Sequence, residues 1–232
     1  MKKFGILVFA AAVALGIFVA SIFSFGRLDQ RIFKFSINGK TRGSGHVVTE
    51  SRDIKGFSGV DVGGTFQVEI TARKDFAVEV SADDNLLSLI TTEVRNGVLH
   101  IETEGRVSTD NPLKITISAP EIESIAASGV SNVGLVNVTG SELRVDASGA
   151  SKVNVTGDIA RLTAEASGAS AINAEGVTAG SAEVSASGAS RILVFATEDL
   201  HSEASGAATV LFSGNPASIE KRSSGAGSIR EK

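Results

Sequence analysis

The alternation of apolar and polar residues is most regular in the C-terminal half of the chain, where it recurs every 18 to 20 residues. Each repeat has two short stretches in which every second residue is apolar, such as 143–147 and 153–155. A Ser-Gly pair lies between the stretches, and it begins at Ser128, Ser148, Ser167, Ser187, Ser205 and Ser224. A period of two predicts strands with one buried face, and a fixed repeat of about 20 residues predicts a solenoid.

We therefore predict an all-β fold, a right-handed parallel β-helix or β-solenoid whose rungs of about 19–20 residues stack about 4.8 Å apart. The apolar residues Val153, Ile172, Ile192 and Val210 occupy equivalent places in successive repeats and are predicted to be buried and stacked. The Ser-Gly-Ala segments are interpreted as sharp corners, because glycine reaches positive φ without steric cost. Their serines are expected to satisfy corner backbone groups or to form a hydroxyl ladder between rungs.

The chain divides into three predicted parts. Residues 1–25 are an N-terminal signal anchor or signal peptide, 26–46 a basic flexible linker, and 47–232 the β-solenoid domain, with repeats clearest over 121–232. Alternation without the repeat continues between Val47 and Pro120, where Asn96-Gly97 predicts a two-residue hairpin turn. The polar run 83–85 before an apolar run predicts a short, capped helical turn.

The N-terminal segment has 22 residues without a charge, from Phe4 to Phe25, preceded by Lys2 and Lys3. This length favours one hydrophobic helix that stays as a membrane anchor, while small residues at 19–21 keep a cleaved signal peptide open. Basic residues after the segment favour retention in the cytoplasm, whereas its extreme N-terminal position favours export, which is the interpretation that we adopt. We expect a protein tethered to the cytoplasmic membrane through this span, with the domain outside the cytoplasm. Cleavage would make it secreted.

Composition narrows the chemistry that the chain can carry. Cys, Trp and Tyr are absent, so disulfides and thiolate metal sites are excluded, and because seven of the twelve Phe residues lie in the first 35 positions, the core is expected to consist mainly of Val, Ile, Leu and Ala. The formal net charge is −4, and because basic residues dominate the first 42 positions, the rest of the chain is strongly acidic. An acidic body repels phosphate backbones and anionic lipid head groups, so nucleic acid is not an expected partner.

No catalytic motif stands out, and the alternation places charged residues in an outward column instead. Asp146, Glu165 and Glu203 occupy equivalent places, with Ser185 between them and Arg222 at the end. A solvated acidic face is favoured over a Ca²⁺ site, and paired carboxylates for sugar hydrolysis lack the aromatic cleft that sugar sites use. We assign no catalytic, cofactor-binding or metal-ligating residue and expect neither enzyme activity nor a cofactor. Leu193 and Leu211 are expected to face outward as a candidate contact surface.

Several short motifs carry a resemblance to a known family. They are Gly59-Val60-Asp61-Val62, Asn85-Leu86-Leu87, Leu99-His100-Ile101, Ile115-Thr116-Ile117 with Pro120, and the series of Ser-Gly-Ala corners. Together they resemble the putative auto-transporter adhesin head domain, or head GIN domain, of bacterial envelope proteins. The resemblance implies a β-solenoid of the bacterial cell envelope, presented outside the cytoplasmic membrane in the periplasm or at the cell surface, with no enzyme activity.

We therefore predict a non-catalytic extracytoplasmic interaction module, an adhesin head that binds an unidentified protein or glycan. The alternatives are a self-associating envelope scaffold, a regulatory or sensing ectodomain and, less favoured, a carbohydrate-active enzyme. The charged tail 230–232 is interpreted as a cap that limits stacking at the end of the solenoid.

Overall fold

The fold is known from a computed structural model that describes residues 39–232. Residues 40–232 form one compact unit with its own apolar core. Its strands are β1 (Thr41–Arg42), β2 (Val47–Arg52), β3 (Gly59–Gly64), β4 (Gln67–Ala72), β5 (Ala77–Asp83), β6 (Ile90–Arg95), β7 (Val98–Thr103), β8 (Val107–Ser108), β9 (Lys114–Ala119), β10 (Ser124–Gly129), β11 (Asn132–Ala147), β12 (Lys152–Ala166), β13 (Ala171–Ala186), β14 (Arg191–Ala204), β15 (Thr209–Ser213), β16 (Ser218–Ser223) and β17 (Ser228–Glu231). The single helical element is a 3₁₀ turn at Leu87–Leu89.

The predicted β-solenoid is confirmed over the repeats. The long strands β11, β12, β13 and β14 pair in parallel, each with the next, and the six Ser-Gly corners bound five turns. Val153, Ile172, Ile192 and Val210 lie opposite one another in that order and are at most 1% exposed. Parallel stacking of equivalent apolar residues therefore forms the core, as predicted, while the right-handed sense of the coil stays a prediction.

Each long strand bends, so that the solenoid has two long faces. The front face is made by the segments before each corner: 124–128, 142–148, 161–167, 181–187, 199–205 and 218–224. The back face is made by the segments after each corner: 132–136, 152–156, 171–175, 191–195, 209–213 and 228–232. The faces meet at the Ser-Gly corners on one edge and at irregular bends, such as that between Leu135 and Val138, on the other.

The layers before the repeats stack out of sequence order. β3 lies between β7 and β10 on the front face, and β4 lies between β9 and β11 on the back face. The β3–β4 layer, although first in sequence, therefore lies in the middle. The β7–β9 layer is on its N-terminal-end side, and β10 begins the layer on its other side. This arrangement extends the core through Val62, Ile70 and Ile117, which are at most 1% exposed.

Antiparallel strands cover the N-terminal end of the stack. β6 pairs with β7, and β5 pairs with both β9 and β2. The predicted hairpin turn at Asn96-Gly97 is confirmed, with φ of 52° and 78° at the two turn residues. The predicted helical turn is also present, but its predicted cap is wrong. Leu86 is the N-cap residue and makes no side-chain cap hydrogen bond, and Asp84 instead accepts hydrogen bonds from Ser44 Oγ and its own neighbour's backbone N–H.

The predicted signal anchor or signal peptide, and most of the predicted linker, lie outside the described residues. Within 39–232, no helix has both the length and the apolar character needed to span a bilayer. The last linker residues contact the domain, because β1 pairs with β8 and the Ser44 backbone N–H donates to Asn85 Oδ1 at 2.9 Å. The compact unit therefore includes residues 40–46, which the sequence assigned to the linker.

Candidate functional site: the corner groove and the front-face column

The Ser-Gly corners position the surface residues around them. Gly149 has φ of 70°, and a Cβ atom added there would lie 2.7 Å from the carbonyl oxygen of Gly129 in the layer below. The Ala150 backbone N–H donates to that same carbonyl at 2.8 Å. The corner backbones therefore stack too closely for any side chain at the glycine position, which agrees with the geometric interpretation of the repeat.

In four of the six corners a second serine follows the first one by three positions, and this second serine has the structural role. Ser151 is fully buried, and its Oγ lies 2.8 Å from Ser148 O and 3.1 Å from Ala127 O. Ser170 makes the equivalent contacts one layer further on. The predicted satisfaction of corner backbone groups by serine is thus confirmed for this position. The first serine of each corner is left to face the surface groove.

The predicted outward column is confirmed on the front face. The sheet register places Asp146, Glu165, Ser185, Glu203 and Arg222 next to one another in five successive layers. The column was readable from the sequence because strand alternation and the repeat length together fix which residues are neighbours.

One basic residue that the sequence pattern did not single out, Arg144, pairs with two carboxylates at one end of this column. Arg144 Nε lies 2.9 Å from Asp146 Oδ2, and Arg144 Nη2 lies 2.7 Å from Glu165 Oε1. These hydrogen bonds, to Asp146 first and then to Glu165, raise the pKa of the Arg144 guanidinium. The signal for this pairing was present, since Arg144 is two residues before Asp146 and faces the same side of the strand.

A second network occupies the other end of the column. His201 Nδ1 lies 3.1 Å from Glu220 Oε2, and Arg222 contacts both Glu203 and Glu220, at 3.2 and 2.7 Å. The hydrogen bond with His201 and then the charge of Arg222 lower the pKa of Glu220. Within 39–232, no group of three or more His, Asp or Glu side chains is placed to hold a metal ion.

A shallow groove runs along the solenoid axis between this column and the corner serines. One part, of about 190 Å³, is lined by Ser128, Ser148, Ser167 and Ser187 on one side and by Asp146 and Glu165 on the other. A second part, of about 230 Å³, continues past Ser185 to Ser205, Ser224 and Arg222. Corner hydroxyls thus repeat at the layer spacing of about 4.8 Å, beside carboxylates in three layers and the guanidinium of Arg222 in the last. Such a surface can hydrogen-bond to an extended polar ligand.

Leu193 and Leu211 lie opposite each other on the back face, as the alternation predicted, and both are half-buried rather than fully exposed. Phe195, also outward and half-buried, is in the same layer as Leu193. The front-face groove and this back-face patch are therefore separate surfaces, one polar and one partly apolar.

Comparison with known proteins gives matches of family and of fold. A family model described as "Putative auto-transporter adhesin, head GIN domain" matches residues 56–216. A putative adhesin from Bacteroides fragilis is 21% identical with a TM-score of 0.68, and the match covers 82% of this chain and 99% of that chain. A putative adhesin from Parabacteroides distasonis is 20% identical with a TM-score of 0.57, covering 84% and 100%.

A third solved structure, of a putative lipid binding protein from Parabacteroides distasonis, is 20% identical with a TM-score of 0.50, covering 84% of this chain and 100% of that chain. At such identities the structural likeness is one of fold. Among curated proteins, no sequence matches this chain.

Proposed function

Because the chain belongs to the family of putative auto-transporter adhesin head GIN domains, we propose that it is a non-catalytic adhesin head held outside the cytoplasmic membrane. The apolar segment 4–25 tethers it, and the solenoid presents its faces to an external ligand. The family match supports a location in the bacterial envelope or outside the cell. The tether rests on the length and composition of the N-terminal segment.

This proposal rests on the groove between the corner serines and the outward column of the front face, which we call the corner groove. Its polar groups are mounted on stacked strands whose inner residues are fully buried, such as Leu143, Leu162 and Val184. A rigid scaffold that repeats the same groups layer after layer suits binding of a long, polar ligand over several contacts, each of them weak. We therefore favour a surface glycan or an extended polypeptide as the ligand.

Adhesion and topology can be tested separately. Protease treatment of intact cells and of spheroplasts should cleave residues 40–232 only where they are outside the membrane, and protection in spheroplasts would overturn the proposed location. A deletion strain should adhere less than its parent. Complementation with Glu165→Gln/Glu203→Gln should restore adhesion poorly, whereas the control Glu121→Gln should restore it fully. Equal rescue by both variants would remove the groove from the proposal.

A self-associating scaffold is the second candidate, favoured by one feature. In residues 39–232, no strand pairs with the outer edge of β16 or β17. Such edges are templates for pairing with another chain. Sedimentation of residues 40–232 over a range of concentrations distinguishes the two candidates, because a scaffold forms larger species and an adhesin head stays monomeric.

A further inference from the structure

The two faces of the solenoid differ in charge. Over the repeats, the front face carries most of the carboxylates, including Asp146, Glu165, Glu183 and Glu203. The charged residues of the back face are Lys152, Glu175, Arg191, Arg230, Glu231 and Lys232, of which two are acidic. A protein with a formal charge of −4 therefore has one face that is locally basic.

The basic residues of the two faces are paired with carboxylates to different extents. On the front face, Arg144 and Arg222 each contact two carboxylates, whereas among the described residues Arg161 and Lys221 have none within 4.0 Å. On the back face, Lys232 pairs with Glu175 at 2.7 Å. Among the described residues, Lys152, Arg191 and Arg230 have no carboxylate within 4.0 Å, and all three are exposed. The back face thus holds positive charges that the protein itself does not neutralise.

Apolar residues lie directly between these charges. The sheet register places Leu193, Leu211 and Arg230 in one outward column, with Leu211 in the middle. Arg191 is two residues before Leu193 on the same strand face, and Phe195 is two residues after it. Two guanidinium groups therefore flank the half-buried apolar side chains. That of Arg191 is beside Leu193 on the same strand, and that of Arg230 is beside Leu211 in the last layer. We call these five residues the basic–apolar patch.

We propose that the basic–apolar patch docks the domain on an anionic lipid surface. Exposed guanidinium groups attract anionic head groups, and each Lys or Arg near such a surface strengthens binding about fivefold. The flat apolar row offers contact with the acyl boundary, where partly buried Leu and Phe side chains are favoured. The acidic front face opposes this contact only weakly. Facing sheets pack about 10 Å apart, so its carboxylates are farther from the lipid than the guanidinium groups by more than the Debye length of about 8 Å at physiological ionic strength.

The composition of the front face disfavours a second copy of this chain as the partner of the basic–apolar patch. The outward positions of the front face are Ser, Thr, Ala, His or charged residues, so Leu193, Phe195 and Leu211 would meet no large apolar side chain there. Arg144 and Arg222 already occupy several of its carboxylates. The net acidity of the chain, which by itself argues against anionic lipids, averages over two faces that are separated in space.

The test uses residues 40–232, which form a compact unit with their own core. Wild-type protein should sediment with phosphatidylcholine vesicles that contain phosphatidylglycerol, less at high salt, and not with pure phosphatidylcholine vesicles. Arg191→Gln should weaken the partition coefficient about fivefold, and Arg191→Gln/Arg230→Gln about 25-fold, if the contributions add. The matched control is Arg161→Gln, which removes one exposed charge from the front face and should bind like wild type.

Three results would overturn the proposal. They are no binding of wild-type protein to the phosphatidylglycerol vesicles, equal weakening by Arg161→Gln and Arg191→Gln, and equal binding to both kinds of vesicle. Salt-sensitive self-association that Arg191→Gln abolishes would assign the patch to a second copy instead. Circular dichroism of each variant confirms that the fold is intact.

Discussion

The two ends of the solenoid are finished in different ways. At the N-terminal end the strand direction reverses, because β6 pairs antiparallel with β7, and β5 and β2 continue antiparallel from β9. At the C-terminal end β16 and β17 keep the parallel direction of the repeats, and every residue of β16 is exposed. One end of the core is therefore closed by additional structure, and the other ends in a layer of the repeat itself.

The difference shows two solutions to one problem, which is that an exposed strand edge pairs readily with other chains. The N-terminal end has a side chain that ties its covering strands together. Arg52 donates hydrogen bonds to Ile90 O and Leu87 O, at 2.8 and 3.1 Å. The C-terminal end instead places charges in core columns. Lys221 follows Ser202 in an inward column, and its Nζ lies 4.3 Å from the centre of the Phe212 ring.

The predicted cap at the charged tail 230–232 is thus only partly right. Arg230 faces outward on the back face, and Lys232 pairs with Glu175. Glu231 lies opposite the buried Phe212, in a core column. The polar end of the core is formed by Lys221 and Glu231, one from each face. Charges that point toward the core protect the edge better than charges that point to solvent, because another strand could pair only by burying them.

The largest effect is expected from breaking the stack between the two ends. Gly149→Val places a β-branched residue at φ of 70° and within 2.7 Å of Gly129 O. We expect the free energy of unfolding to fall by about 3–5 kcal/mol. Urea unfolding of residues 40–232 measures it.

The same substitution in the last layer separates backbone strain from stacking. Gly225 has a similar φ of 67°, but an added Cβ atom would lie 3.2 Å from Gly206 O. Gly225→Val should therefore cost only about 1–3 kcal/mol. Equal costs at the two sites would mean that the left-handed conformation alone, and not the contact between layers, requires glycine.

Removing the side chain that ties the closed end together should have the next largest effect. The Arg52 side chain is 15% exposed and donates to two backbone carbonyls and to Thr92 Oγ1. Arg52→Ala should lower the free energy of unfolding by about 2–3 kcal/mol. Arg95→Ala is the control, because that side chain is 65% exposed and its ion pair is worth less than about 1 kcal/mol. A similar loss in both variants would argue against a structural role for Arg52.

The repeats and the closed end were not equally predictable from sequence. The stacked layers follow from a period that repeats Val153, Ile172 and Ile192 at nearly constant spacing, so their neighbours could be named in advance. The insertion of the β3–β4 layer between β7–β9 and β10–β11 has no such period. It depends on pairing between segments that are far apart in sequence, for which alternation identifies the strands but not their partners.

The surface columns show a similar limit. Alternation identified Asp146 and Glu165 as neighbours, but the choice between a cation site and an ion-paired face depended on where Arg144 points. The net charge was known from composition, yet its division into an acidic and a basic face appears only when each charge is assigned to a face. A net charge sums residues that lie farther apart than the distance over which charges interact strongly in salt solution, so it does not show which face carries which charge.

The closed end should also be sensitive to acid. Asp83 is 1% exposed, and hydrogen bonds from Thr109 Oγ1 and then Asn111 Nδ2, at 2.6 and 2.7 Å, lower the pKa of its carboxyl. Because the folded-state pKa is depressed, the carboxylate stabilises the fold above its unfolded-state pKa, and this is lost as the pH falls through the folded-state value. The urea midpoint of Asp83→Asn should fall less steeply in acid than that of wild type.

The control for acid sensitivity is Asp53→Asn, at a side chain that is 85% exposed. Its midpoint should follow the wild-type curve at every pH. If Asp83→Asn follows that curve as well, the acid sensitivity of the fold arises elsewhere.

Near the C-terminal end, which we call the open end because no additional strands cover it, removing a buried hydroxyl should stabilise the fold. Ser202 is fully buried in a core column, and its Oγ has no hydrogen-bond partner among the described residues. Ser202→Ala should raise the free energy of unfolding by about 1 kcal/mol, because an unsatisfied polar group is removed. Ser151→Ala is the matched control, since Ser151 is equally buried but hydrogen-bonded, and it should lower stability by a similar amount. Destabilisation by both changes would indicate a partner for Ser202.

The smallest effect on the stability of the monomer is expected at Lys221, where the comparison of the two ends is tested most directly. Its contact with Phe212 is partly exposed and worth about 0.5–1 kcal/mol, which an apolar side chain over the same ring largely replaces. Lys221→Val removes the charge that another strand would have to bury, so residues 40–232 should associate end to end as concentration rises. Sedimentation velocity detects this association.

Lys55→Val is the control for the Lys221 variant, because it removes an equal charge from an exposed residue outside the strands and should stay monomeric. A monomeric Lys221→Val protein would mean that this charge does not protect the open end. In that case Glu231, the other charge in a core column of the last layer, is the residue to change next. If both variants associate, net charge and not the position of Lys221 keeps the protein monomeric. The proposed difference in how the two ends are protected would then be wrong.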